Sequence, residues 1–228
     1  MTNKLLSPSQ FRNAIYLDFE GEGKKRDGSV PEPHMAGTFR PNKTGGGGKY
    51  TCVFFKPQWK LPSNGVARAS IGTFDGYFES LTDELKATGC YLVYWSIHED
   101  TILEKFLPSS IYKNLKPQMY NMHPQAKTHL NRYRKFGDKK TAKKKTLEEC
   151  FQAIYPERQP YPLFLLGAAE ACRRIDRACH KHNKWQNFSE KQKSYVKKLI
   201  EYNEGDCRST WLIAKRVGNN VKDTRQPI

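Results

Sequence analysis

The sequence predicts an α/β domain built on a mixed β-sheet flanked by helices, and three observations carry that reading. Ala14 to Gly21, Pro33 to Arg40 and Tyr50 to Phe55 are consecutive strand-like runs joined by turns, the pattern of an antiparallel meander. A helical pattern from Thr73 to about Thr88 then leads into Cys90 to Ile97, an almost wholly apolar run. Such a run is normally buried on both faces of a sheet and pairs in parallel after a helical crossover. From there the periodicity is mainly helical and ends in a long segment from Ser189 to about Val217. Strands, a crossover helix, a buried strand and further helices together specify the class.

The individual elements follow from local chemistry. Ala14-Ile15-Tyr16-Leu17-Asp18-Phe19-Glu20-Gly21 is rich in strand formers and stops at a glycine. Residues 22–30 are polar with glycines and read as a turn. Gly45 to Gly48 lack the Lys-Ser/Thr and helix that a phosphate-cradling loop needs, so they are expected at a hairpin tip. Thr73 is a candidate N-cap, Tyr77, Phe78, Leu81 and Leu85 fall at helical spacing, and Gly89 stands where a helix ends. His98-Glu99-Asp100 is expected to terminate the buried strand, with a short helix from Thr101 to Leu107 stopped by Pro108. Residues 108–188 are expected to be largely helical and basic, with a helix over Leu163 to His180. Ser189 and Gln192 offer a capping box for the last helix, whose stripe runs through Val196, Leu199, Ile200, Asn203, Cys207, Trp211 and Ala214.

At 228 residues the chain suits a single domain, 1–228, with a core from about 14 to 217 and a polar tail over 218–228. Its 37% hydrophobic and 12% aromatic content is enough for a packed core, which excludes global disorder. No window approaches the roughly 18 apolar residues of a membrane span, so no membrane partner is expected. The first ten residues lack an export-signal core, and six cysteines are scattered without a Cys-x-x-Cys pair. Both features lead to the expectation of reduced thiols in a cytoplasmic protein.

The formal net charge is +16, and the excess is concentrated in two stretches. One, 127–145, includes Arg132, Arg134, Lys135, Lys139 and Lys140; the other, 173–198, includes Arg173, Arg174 and Arg177. Fields of this kind attract polyanions, nucleic acid first among them. Trp185, amid lysine, histidine and asparagine, is the surface candidate for stacking a base, whereas Trp95 and Trp211 read as core.

Against this basic background three acidic sites stand out. Asp18 and Glu20 are two apart on a strand and so share a face. Two such charges repel each other unless a cation lies between them. Glu99 and Asp100 follow the buried strand; because adjacent helical residues diverge by about 100°, only one of them reaches Asp18, with Glu99 preferred and Asp100 the alternative. Tyr202 and Asp206 are one helical turn apart and stack on one face, while Glu204 points away and is expected in solvent. Carboxylates without His or Cys suit hard divalent cations. Cys172, Cys179 and His182 share a helical face but do not by themselves make a tetrahedral zinc site. Cys207 reads as a small core residue.

Asp18-x-Glu20 on the first strand, an acid beyond the next buried strand and Tyr202-x-x-x-Asp206 on the last helix resemble the DEDD exonucleases of the RNase H-like superfamily, tyrosine subclass. The string Tyr202-Asn203-Glu204-Gly205-Asp206-Cys207-Arg208-Ser209-Thr210 is similar to the Y-N-x-x-D-C-x-A-T signature of predicted RecB-family-associated RNase H-like nucleases. The resemblance covers about 14 to 217, without a match over 108–188. It implies an RNase H-like fold and hydrolysis of DNA or RNA phosphodiesters with two Mg²⁺ or Mn²⁺ ions. Asp18, Glu20, Glu99 and Asp206 would be ligands and catalytic residues, and Tyr202 would position or help deprotonate the attacking water. It also implies a 3′–5′ exonuclease acting on a single-stranded 3′ end. A structure-selective endonuclease on the same fold and a catalytically silent nucleic-acid-binding module remain the alternatives.

Overall fold

In the computed structural model, residues 6–25, 27–44, 46–133, 146–158 and 166–223 are described. A six-stranded mixed sheet runs in the order β4-β3-β2-β1-β5-β6. Its strands are β1 (Ile15–Glu20), β2 (Met35–Pro41), β3 (Gly48–Phe54), β4 (Ala69–Ile71), β5 (Leu92–Tyr94) and β6 (Met119–Asn121). β1, β2 and β3 form the expected antiparallel meander, with Asp18 opposite Gly37 and Gly37 opposite Cys52. β5 joins β1 in parallel, and β6 joins β5 in parallel.

Side-chain alternation divides the core between the two faces of the sheet. Ile15, Leu17, Val53, Leu92 and Tyr94 pack with α3 (Phe74–Thr88), α4 (Ile97–Phe106) and α5 (Ser109–Leu115). Tyr16, Phe39, Tyr50, Phe54 and Val93 pack on the opposite face with α1 (Pro8–Asn13), α7 (Leu147–Ile154), α8 (Ala168–Lys181) and α9 (Glu190–Asp223). Asp18 and Glu20 continue the Tyr16 series and therefore look toward α8 and α9. The short α2 (Lys60–Ser63) precedes β4, and α6 (His123–Tyr133) follows β6.

The caps read from sequence operate. Thr73 Oγ1 accepts from the Gly76 amide, and Gly89 ends α3 with φ +64°, a left-handed conformation that disfavours a β-carbon. Ser189 and Gln192 exchange their capping bonds at the start of α9, and every residue of its expected stripe is buried.

Several expectations are corrected. The buried strand is only Leu92–Tyr94, because Ser96 caps α4 and draws the chain out of the sheet. The helix expected over 101–107 accordingly begins at Ile97, and Glu99 and Asp100 lie in its first turn rather than at a strand end. β6 was hidden in the largely helical reading of 108–188, and α8 begins at Ala168 rather than Leu163. Residues 163–165 and the tail 224–228 fall outside the described residues. Glu204 is buried rather than solvated, because Arg68 and Arg208 both donate to it. Trp185 packs half-buried against Phe188 and over Gly65, which removes it as a free stacking platform.

Candidate metal centre

Three elements distant in sequence supply the acidic site. β1 presents Asp18 and Glu20, the first turn of α4 presents Glu99, and the middle of α9 presents Tyr202, Asn203 and Asp206. Carboxylate oxygens of Asp18, Glu20 and Asp206 all lie within 4.8 Å of one another. Glu20 is buried, and its Oε1 has no hydrogen-bond partner. A buried carboxylate oxygen without a donor is costly unless something electropositive faces it.

Glu99 and Asp100 diverge as adjacent helical residues must. The Glu99 carboxylate, expected as the fourth ligand, lies outside the group of Asp18, Glu20 and Asp206 and reaches them only through its field. Its Oε2 accepts from the Ser96 amide at 2.9 Å and the Ser96 hydroxyl at 2.8 Å, which fixes the side chain. Asp100 turns instead to α5, where Lys116 Nζ reaches both of its oxygens at 2.7 and 2.6 Å and Tyr112 donates at 3.0 Å. It is thus committed elsewhere and is set aside as the second-site acid.

Asp18 is held from α9. Asn203 Nδ2 donates to Asp18 Oδ2 at 2.6 Å, and Tyr50 Oη donates to Asn203 Oδ1 at 2.8 Å. This relay requires the helix to lie almost on the backbone of β2. A β-carbon at Gly37 would sit 1.6 Å from Asn203 Oδ1 and 2.6 Å from Tyr50 Oη. The sequence reading places Asn203 in the buried stripe and in the Tyr202–Thr210 string, without a role of its own. The available signal was an asparagine within an otherwise apolar series, since a buried amide needs partners.

The electrostatics follow from crowding. Burial, then Glu20, Asp206 and Glu99, raise the Asp18 pKa well above the carboxylate range. Burial followed by Asp206 does the same to Glu20, against hydrogen bonds from Asn203 and Asp18. Asp206 is pushed to about 7 by burial, with a hydrogen bond from Tyr202 opposing the shift and Glu148 and Glu99 adding to it. Burial raises Glu99, with the Ser96 donors opposing. Tyr202 is raised by burial and then by Asp206, Glu20 and Asp18, so its phenol keeps its proton. The group therefore calls for positive charge, and an all-oxygen donor set fits a hard divalent cation. Beside Glu20 a cavity of about 240 Å³ is bordered by Glu22, Gly23, Val30, His98 and Ala168.

The other expected site residues are placed unequally. Arg173, Arg174 and Arg177 lie on α8 and all converge on Glu170, with Arg174 also donating to Tyr195. Arg132 lies on α6, its side chain outside the described part, and Arg134, Lys135, Lys139 and Lys140 lie outside the described residues. Cys172, Cys179 and His182 form no metal group among the described residues. Cys207 is fully buried, its Sγ directed to the Gly37 carbonyl. No helix among the described residues is long and apolar enough to cross a membrane. Comparisons with protein-family models, curated proteins and solved structures give no match.

Proposed function

We propose that this chain is a metal-dependent nuclease of RNase H-like architecture that hydrolyses phosphodiester bonds in DNA or RNA, with 3′–5′ exonuclease action as its mode. The observation that carries the reading is the convergence of Asp18, Glu20 and Asp206 to within 4.8 Å inside a chain of net charge +16. A concentrated negative centre under a positive exterior suits a protein that draws in a polyanion and handles it with cations. The antiparallel meander followed by parallel strands supports the architecture.

Asp18, Glu20, Asp206 and Glu99 would hold two Mg²⁺ or Mn²⁺ ions. When bound, such ions lower the pKa of water and stabilise the leaving oxygen in phosphoryl chemistry. The chain itself supplies position and proton control. Asn203 aims Asp18, and Ser96 aims Glu99. Tyr202, whose phenol pKa is raised by burial and then by its acidic neighbours, bonds Asp206 and would orient the attacking water, which favours a positioning role over that of a base.

The test is hydrolysis of end-labelled single-stranded DNA and RNA with Mg²⁺ or Mn²⁺. Wild type is expected to shorten linear strands from the 3′ end, while Asp18→Ala and Asp206→Ala lose activity by orders of magnitude. Equal cleavage by all three proteins overturns the assigned site. Cleavage of circular substrates moves the assignment to an endonuclease, and a flat calorimetric Mn²⁺ titration of wild type to a binding module.

A further inference from the structure

A second cluster of ligating side chains lies beside the acidic site. Glu22 just follows β1, His34 just precedes β2, and Asp176 lies on α8; together they place one imidazole nitrogen and two carboxylate oxygens within 4.8 Å of one another. We infer that Glu22, His34 and Asp176 form a separate binding site for one four-coordinate divalent transition ion, with zinc as the natural class.

Four features of the cluster carry this. The first is spacing. His34 Nε2 lies 3.5 Å from Glu22 Oε1 and 3.7 Å from Asp176 Oδ2. Those distances are long for hydrogen bonds, yet a tetrahedral ion with bonds of about 2.1 Å holds its donors about 3.4 Å apart. The second is the imidazole itself. His34 is 1% exposed, and its Nδ1 has no hydrogen-bond partner, so the polar contacts of the ring rest on Nε2. The ring presents Nε2 to oxygens of both flanking carboxylates.

The third feature is support for the ligands. Trp59 Nε1 donates to Asp176 Oδ1 at 2.5 Å and Gln58 Nε2 reaches the same oxygen at 3.4 Å, leaving Oδ2 directed at His34. The Trp59 ring also packs edge-on against His34, with centroids 5.1 Å apart. Holding one oxygen of a carboxylate so that the other faces the ion is the usual work of outer hydrogen bonds at metal sites. The fourth is the donor set. One imidazole with two carboxylates suits zinc and similar ions, whereas the oxygen-only group of Asp18, Glu20 and Asp206 suits Mg²⁺ or Mn²⁺. Cys172, one turn before Asp176, is buried and does not join the three grouped ligand atoms.

Such an ion ties both ends of the 22–34 connection to α8, the helix that carries Arg173, Arg174 and Arg177. Its position does not depend on the nuclease reading, and the test is built to keep the two apart. Co²⁺ is titrated into the full-length Asp18→Asn variant, which removes a ligand from the first cluster only. One equivalent is expected to give the intense visible absorption of four-coordinate Co²⁺, displaced by Zn²⁺. In the same background Glu22→Gln, at a partly exposed position and with its fold checked by circular dichroism, is expected to weaken Co²⁺ binding at least tenfold. His34→Gln is expected to abolish the bands. Absence of the bands in Asp18→Asn, or bands unchanged by Glu22→Gln, overturns the site.

Discussion

Asn203 joins the sheet to the candidate centre, and its chemistry allows a sharp expectation. Its amide has a donor committed to Asp18 and an acceptor committed to Tyr50, and it is fully buried. In Asn203→Ala Tyr50 Oη and Asp18 Oδ2 each lose the bond that Asn203 supplies; leaving a buried polar group unsatisfied costs about 1–3 kcal/mol. Loss of an outer hydrogen bond to a metal ligand typically lowers metal affinity or activity by about 10–100-fold. Urea denaturation and Mn²⁺ calorimetry on this variant measure the two effects separately; wild-type Mn²⁺ affinity in Asn203→Ala removes Asn203 as the residue that aims Asp18. The crowded acids add a pH prediction. Asp206 titrates at about 7 in the folded chain against an ordinary 3.8. Between those values the native state holds a proton that the unfolded state has lost, so metal-free stability falls as pH rises from about 4 through 7. Asp18 and Glu20 shift in the same direction. Denaturation in a chelator is therefore expected to show a lower midpoint at pH 8 than at pH 5. Asp206→Asn should flatten the trend, isolating this group from the chain's overall charge, and saturating Mn²⁺ should reverse it.

At the scale of elements, α4 sets the geometry of the second acid. Ser96 Oγ accepts from the His98 amide while Glu99 reaches back to the Ser96 amide and hydroxyl, so one box starts the helix and locks the carboxylate. Ser96→Ala is expected to cost about 1 kcal/mol of stability and to weaken Mn²⁺ binding by freeing Glu99; Ser96→Thr should retain both, as thermal melts and calorimetry would read. The same box explains what the sequence reading missed. Ser96-x-x-Glu99 is a legible helix start, but the apolar run from Cys90 drew the strand across it. Where a single local cause operates, the reading was close: Thr73 and Gly89 bound α3, Ser189 and Gln192 start α9, and Asp18 with Glu20 share a face by simple alternation. Where the cause is tertiary, it was not. Glu204 looks solvated from helical angles alone, and Arg68, arriving from far along the chain to join Arg208 one turn on, makes its burial tolerable. β4 and β6 are three-residue strands whose identity comes from their neighbours rather than their own pattern. Asn203 and Gly37 likewise acquire meaning only when α9 meets β2.

For the whole molecule, the proposed function requires a chain of net charge +16 to bring a polyanion to a buried acidic centre. Among the described residues, the groove between α8 and the start of α9 is bordered by Arg174, Arg177, Lys181, Lys191 and Tyr195. Glu170 gathers three of the α8 arginines, and their donors pull its pKa down to about 2. Exposed ion pairs of this kind contribute little to stability, because water screens them. Arg177, 69% exposed, can therefore exchange Glu170 for a phosphate at little cost, whereas Arg174 is also engaged with Tyr195. Each phosphate contact on a single strand contributes about −0.7 to the slope of log affinity against log salt. Binding of a short single-stranded oligonucleotide to the Asp18→Ala protein is accordingly expected to weaken steeply with salt. Arg177→Ala with Lys181→Ala should weaken it further at low salt and make the slope shallower by about 1.4, two contacts' worth. Fluorescence anisotropy over a salt series measures both quantities. A slope unchanged in the double variant would remove this groove from the binding path and transfer the role to the basic stretch at 127–145.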